Sequence, residues 1–166
     1  RLTDAYASNI GDQVSLSVVL DNNESDIMGW SYGACHDDSE LSLTAVVDGS
    51  TTEVVKNGSP PDFNQVNVDA AEGFTVGVVI CFTGCANLAA GTTGAELNVA
   101  SYDLIGAPGT STNVDFCNTL GSPTVETIVV VGGASITPDT TGGTVELVAG
   151  PPPFAYGAGD YDVDYD

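Results

Sequence analysis

The sequence predicts an all-β protein, a jelly-roll-like β-sandwich of about nine strands with an extended C-terminal tail. Three observations carry this. Short stretches of alternating apolar and polar residues recur along the chain, separated by clusters of Gly, Pro, Asn, Asp and Ser. No stretch sustains the 3.6-residue apolar period of an amphipathic helix. The composition, 42% hydrophobic and 15% charged with 20 glycines, suits strands and turns better than helices. At 166 residues the chain is long enough for one domain with a full core.

The elements follow in order. Residues 1–12 (RLTDAYASNIGD) are polar with two apolar points, Leu2 and Tyr6, and read as an N-terminal arm or an added strand. Residues 13–20 place Val14, Leu16, Val18 and Leu20 on one side, a half-buried strand. Residues 21–26 (DNNESD) form a turn, and Asn23-Glu24-Ser25 within it is an N-glycosylation sequon. The next strand runs into GWSYGACHDD, residues 29–38. Alternate strand residues face opposite sides, so Met28, Trp30, Tyr32 and Ala34 make a core face. Gly29, Ser31, Gly33 and Cys35 make a face of small residues on the other side.

A third strand, 41–47, turns Leu41, Leu43, Ala45 and Val47 one way, and 51–55 reads as a short edge strand. Two prolines hold the 58–62 loop. Val66, Val68 and Ala70 mark a further strand. The strongest pattern is 73–82, with Phe74, Val76, Val78, Ile80 and Phe82 on one face, and it predicts a central strand. Residues 84–94 are a loop. In 96–104, Leu97 and Val99 share one parity and Tyr102 and Leu104 the other, which predicts a β-bulge near Ala100. Residues 113–117 turn Val114 and Phe116 inward, 126–131 are apolar on both faces, and 144–148 close the body. The expected organisation is an arm (1–12), a sandwich (13–150) and a Pro-led acidic tail (151–166). In the tail, Tyr161, Val163 and Tyr165 alternate with aspartates in a strand pattern.

The formal charge is −21, and Arg1 and Lys56 are the only cations. Such a field repels nucleic acid and anionic lipid, which excludes both as partners, and no apolar run has transmembrane length. It suits divalent cations at the surface, or solubility in salty water. Candidate calcium ligands are Asp21, Glu24 and Asp26 in the turn and Asp160, Asp162 and Asp164 in the tail. The tail acids begin like a D-x-D-x-D loop, but the required Gly falls at Tyr165 and no Glu follows, so this is no EF-hand. The fold is expected to require no cofactor.

The four cysteines form no CxxC, and there is one histidine. That pattern predicts disulfides and an extracellular or cell-surface location rather than a zinc site. A chain beginning at Arg1 reads as a processed, exported product. Of the three possible pairings, Cys35–Cys117 with Cys81–Cys85 is favoured. By strand parity, Cys35 and Cys117 both point away from the core, and Cys81 and Cys85 flank a turn. His36-Asp37-Asp38 and the Cys35-His36 pair are the candidates for catalysis. Adjacent strand residues point oppositely, so they do not converge, and no GxSxG, HExxH or phosphate loop is present. The chain is expected not to be an enzyme.

Taken together, the segments VSLSVVLDN (14–22), GWSYGACHD (29–37), PPDFNQVNV (60–68), GFTVGVVICFTG (73–84), ELNVASYDLIG (96–106) and VDFCNTLG (114–121) resemble, in their order, the cohesin-like β-sandwich modules of exported bacterial surface proteins. The resemblance covers residues 12–149. It implies a nine-stranded sandwich, an extracellular location and no catalysis. Cohesins proper bind dockerins; this chain carries no dockerin repeat and ends in the acidic, Tyr-rich tail. The expectation is a structural subunit of an extracellular bacterial fibre or surface assembly, a homopolymer. Its copies would join through Leu2 and Tyr6 at one end and Tyr161, Val163 and Tyr165 at the other, by strand addition to a neighbour's sheet edge. The competing expectation is a cohesin-like binding module for a protein or glycan partner, docking on the Gly29, Ser31 and Gly33 face.

Overall fold

The alternating segments build two packed sheets in the computed structural model, which describes residues 1–7 and 9–147. Chain order gives β1 (Ala5–Ala7), β2 (Gln13–Asn22), β3 (Ile27–His36), β4 (Leu41–Asp48), β5 (Phe63–Asp69) and β6 (Gly73–Val79). Then follow β7 (Thr92–Leu104), β8 (Ser111–Cys117), β9 (Ile128–Val131), β10 (Ala134–Ile136) and β11 (Gly143–Leu147). The 3-stranded sheet has the order β2-β7-β4. The 8-stranded sheet runs β1-β11-β8-β3-β6-β5, with β9 on the same edge of β3 as β8, and β10 paired to β9. Pairing is antiparallel except between β1 and β11, which run parallel.

The core lies between the sheets. Leu16, Val18, Leu41, Leu43, Ala100, Tyr102 and Leu104 face it from the small sheet, and Trp30, Tyr32, Ala34, Phe74, Val76, Val78, Val114 and Val145 from the large one. Full burial of each large apolar side chain stabilises by about 1.5–3 kcal/mol. Tyr32 meets Phe74 and Phe116 edge-on, with ring centroids 6.2 and 5.8 Å apart. One polar link crosses the core: the Tyr32 hydroxyl donates to Asn98 Oδ1 at 2.5 Å, and Asn98 Nδ2 donates to the Val47 carbonyl at 3.1 Å.

The structure departs from the sequence expectation at identifiable places. Of the two readings of the N-terminal residues, an arm or an added strand, residues 1–7 take the second. Arg1 and Thr3 pair with β2 through Val19 N–H to the Arg1 carbonyl (2.8 Å) and Thr3 N–H to the Ser17 carbonyl (3.0 Å). Beyond them, Ala5–Ala7 lie on β11. Leu2, Ala5 and Ala7 are buried there, sealing the gap between the sheets. In β4 a register shift between Leu43 and Ala45 turns Val46 inward and leaves Val47 56% exposed. The extra residue in β7 is Leu97 rather than one near Ala100, because Val18 pairs with Asn98 and Val19 with Glu96. This lets Leu97 and Asn98 both be buried.

Residues 51–55 are not an edge strand. Thr52–Val54 is a 3-10 turn, and buried Thr52 donates its hydroxyl to the Leu97 carbonyl at 2.7 Å. A shift between Ile27 and Gly29 gives Ile27 the core position expected of Met28. β6 stops at Val79, and Phe82 is 69% exposed where the chain turns. The β9–β10 hairpin, absent from the sequence reading, closes through Gly132 and Gly133 at φ 57° and 84°, the type I′ pattern that glycines permit. The C-terminal end of the expected last strand and the whole tail lie outside the described residues.

Candidate protein-binding face

β5, β6 and β3 lie side by side, and their register sets out a grid on the side of the sheet away from the core. Phe63, Val79 and Gly29 form one row, then Gln65, Gly77 and Ser31, then Asn67, Thr75 and Gly33, then Asp69, Gly73 and Cys35. The intervening residues Phe74, Val76 and Val78 fill the core, so parity holds the grid outward. Its middle is low. Gly77 has no side chain, and the ring of Phe63 lies 3.6 Å from where a Cβ would stand.

The segment between β8 and β9 raises a wall along one side. It folds back over β3, where Ser31 donates its hydroxyl to the Glu126 carbonyl at 2.8 Å. Asn118 Oδ1 accepts from Thr127 N–H (2.9 Å) and its hydroxyl (3.1 Å), and Val125 N–H donates to the Leu120 carbonyl. A groove of about 520 Å³ results, floored by Ser31, Thr75 and Gly77 and walled by Phe63, Gln65 and Asn67 against residues 121–126. It continues past Asn67 into a hollow of about 400 Å³ beside Asp69 and Glu72, and then toward Cys35, His36 and Asp38. The four rows run from Phe63 to Asp69, seven residues of strand and about 20 Å.

Carboxylates stand at both ends: Glu126 at one, Asp69, Glu72 and Asp38 at the other. Neither cation of the chain lines the groove. Arg1 Nε sits 3.3 Å from Asp21 and Lys56 Nζ 2.6 Å from Asp62. The face is therefore dented, mixed in polarity and negative, with Phe63 and Val79 exposed in its end row.

Cys35 and Cys117 are joined at the far end of the groove, with Cα atoms 5.9 Å apart. The bond ties β3 to β8 just before the wall begins. Cys81 and Cys85 are joined across the turn after β6, with Cα atoms 5.7 Å apart. The small-residue face of β3 is not the open surface expected of Gly29, Ser31 and Gly33. A Cβ on Gly33 would stand 2.6 Å from the Cys117 carbonyl, and one on Gly29 would meet the Val78 backbone. Ser31 is bonded to the wall. These residues are small so that the protein's own chain can approach, and the accessible floor shifts to β5 and β6.

His36 ends β3. Its Nε2–H donates to the Ala70 carbonyl at 3.2 Å, and its ring meets Tyr102 edge-on at 5.2 Å. Burial lowers its pKa, against the opposing pull of the Ala70 bond and of Asp38, Asp37 and Asp69, so the imidazole is neutral near pH 7. Asp37 instead accepts from the Ser39 N–H and hydroxyl, which hold its carboxyl below the usual range. With Cys35 in a disulfide, the Cys-His-Asp run makes no nucleophile and base.

Two of the candidate calcium ligands of the turn are already engaged by the protein. Asp21 accepts from Gly94 N–H and Arg1, and Asp26 from Asn87 Nδ2 and Ala90 N–H. Among the described residues no three His, Cys, Asp or Glu side chains gather as a metal-binding group. Of the expected assembly residues, Leu2 is spent in the protein's own core, whereas Tyr6 is 65% exposed on the outer strand β1. Tyr161, Val163, Tyr165, Asp160, Asp162 and Asp164 lie outside the described residues. Sequence reasoning missed Phe63, Gln65, Asn67, Thr75 and Gly77. Their signal was there: in FNQVNVD, an aromatic ring shares a polar face opposite Val66.

No family model and no curated protein sequence matches the chain. Solved structures match over nearly its whole length. The sixth cohesin of Acetivibrio cellulolyticus scaffoldin B, solved with a dockerin, superposes with a TM-score of 0.68 at 17% identity, covering 88% of this chain and 95% of that one. The fold is that of a cohesin module. The OlpA cohesin of Clostridium thermocellum, also solved with a dockerin, gives 0.66 at 18% identity over 89% and 96% of the two chains. A non-cellulosomal cohesin from the archaeon Archaeoglobus fulgidus gives 0.61 at 13% identity over 90% and 92%. Cohesin architecture is thus shared by proteins identical to this chain at fewer than one residue in five.

Proposed function

We propose that this cohesin-fold protein is a non-catalytic binding module for a protein partner, held in the groove between β5–β6 and the 118–127 wall. The observation that carries the reading is the groove itself: an outward sheet face that the described chain leaves open, dented at Gly77 and ringed by a carboxylate at each end. Cohesin-fold neighbours solved with dockerins support a protein, rather than a glycan, as occupant. Charge complementarity calls for a partner with basic residues spaced to meet Glu126 and the Asp69–Glu72 end. Two disulfides suit work outside the cell.

The expectation of a self-assembling fibre subunit draws no support from these neighbours. A charge of −21 with both cations already paired also sets each copy against the next. The test is isothermal titration of the protein against a panel of dockerin modules, with Gly77→Lys and Phe63→Lys variants checked for folding by circular dichroism. The expected result is binding that weakens with added salt and falls at least tenfold in either folded variant. Absence of dockerin binding, or equal binding by the folded variants, overturns it.

A further inference from the structure

A second feature lies away from the groove, at the β2–β3 turn. Asn22 is buried, and its Nδ2 donates to the Leu88 and Ala89 carbonyls. Asp26 holds Asn87 and Ala90 from the other side of the turn. Both ends being fixed, Asn23, Glu24 and Ser25 are left as the tip. Asn23 is exposed, and its side chain makes no hydrogen bond to the described residues. The tip borders a hollow of about 310 Å³ whose apolar surface comes from Ile27, Val129, Val131, Ile136 and Pro138. Asp21, Glu24 and Asp139 stand on its rim. Apolar surface beside carboxylates that can accept from hydroxyls is the chemistry that seats a sugar ring.

We infer that Asn23 is an N-glycosylation site and that the first sugars of its glycan lie over this hollow. In the reaction, Asn23 Nδ2 bonds to the anomeric carbon of an oligosaccharide carried on a lipid pyrophosphate. The bond from that carbon to the pyrophosphate oxygen breaks, the lipid pyrophosphate leaves, and one amide proton passes to the transferase's base. Ser25 completes the Asn-x-Ser acceptor.

The chain contains its own comparison, a second Asn-x-Ser at Asn57-Gly58-Ser59, followed directly by Pro60. Asn57 sits in a two-residue turn at φ 52°, pinned by bonds in both directions between Lys56 and Ser59. Its Nδ2 already donates to the Cys85 carbonyl at 3.4 Å. The inference therefore assigns modification to Asn23 and none to Asn57.

Trypsin separates the two sites, because it cleaves after Lys56. Full-length protein would be purified from the cells that naturally make it, alongside Ser25→Ala and Ser25→Thr variants expressed in the same cells. After reduction, peptide 2–56 and the peptide that begins at Asn57 are weighed and fragmented. The expected result is a hexose-containing addition on Asn23 that is lost in Ser25→Ala and kept in Ser25→Thr, with Asn57 bare. Peptide 2–56 at its unmodified mass, an addition that survives Ser25→Ala, or an addition at Asn57 instead overturns it.

Discussion

Tyr32 and Tyr102 are both buried in the core, yet their hydroxyls stand in opposite positions. Tyr32 is bonded to Asn98, whereas the Tyr102 hydroxyl has no partner among the described residues. Burial raises the pKa of both, so each stays a neutral phenol. Tyr32→Phe strands a buried amide oxygen, and the expected loss is about 1–3 kcal/mol. Tyr102→Phe removes a hydroxyl that was desolvated without return, and its expected effect is neutral or slightly stabilising. Urea denaturation of the two variants checks the pair; equal losses would show that the Asn98 link contributes nothing specific.

At the scale of elements, the two disulfides differ in what they close. Cys35–Cys117 spans a sequence separation of 82 and Cys81–Cys85 one of 4. Chain entropy gives about 4.5 kcal/mol for the first and about 2 kcal/mol for the second. The paired variants Cys35→Ala with Cys117→Ala, and Cys81→Ala with Cys85→Ala, are expected to lose stability in that order, read as denaturation midpoints. Both pairings follow from strand parity and turn position, and the core faces of β3 and β6 are equally plain in the sequence. Trp30, Tyr32, Phe74, Val76 and Val78 all lie where alternation places them. What alternation could not supply was the location of an extra residue. The shifts at Leu97 and after Leu43 depend on which partner residue each strand meets, and that is set across the sheet rather than along it. The groove was hidden for the same reason. Phe63, Gly77 and Ser31 become one surface only once three strands are in register.

For the molecule as a whole, charge governs two properties with opposite sign. Mutual repulsion among 23 acidic residues opposes the folded state, and salt screens it. Raising salt from 0.1 to 1 M shortens the screening length from about 10 to about 3 Å. The melting temperature is expected to rise by roughly 4–8 °C, equivalent to about 2 kcal/mol at this size. Calorimetry at the two salt concentrations checks it, and a flat or falling trend would mean that repulsion is not what limits stability. If the groove takes a basic partner as proposed, the same screening weakens that capture, so salt makes the fold more stable and the groove less adhesive.

The parallel pairing of β1 with β11 has a mechanical consequence. Ala5, Tyr6 and Ala7 lie beside Val145, Glu146 and Leu147 and run in the same direction. A pull applied between the two ends of the described chain drags these strands past each other lengthwise. Their hydrogen bonds must then break together, in shear, rather than one at a time as in an unzipping hairpin. A fold pulled through these two strands resists unravelling. Leu147 turns its N–H and carbonyl to Thr110 and Gly109 on the β8 side, so Glu146 faces β1, and Ala7→Pro removes the amide hydrogen that meets the Glu146 carbonyl in this short seam. In a force spectrometer that variant is expected to rupture at a clearly lower force than the parent.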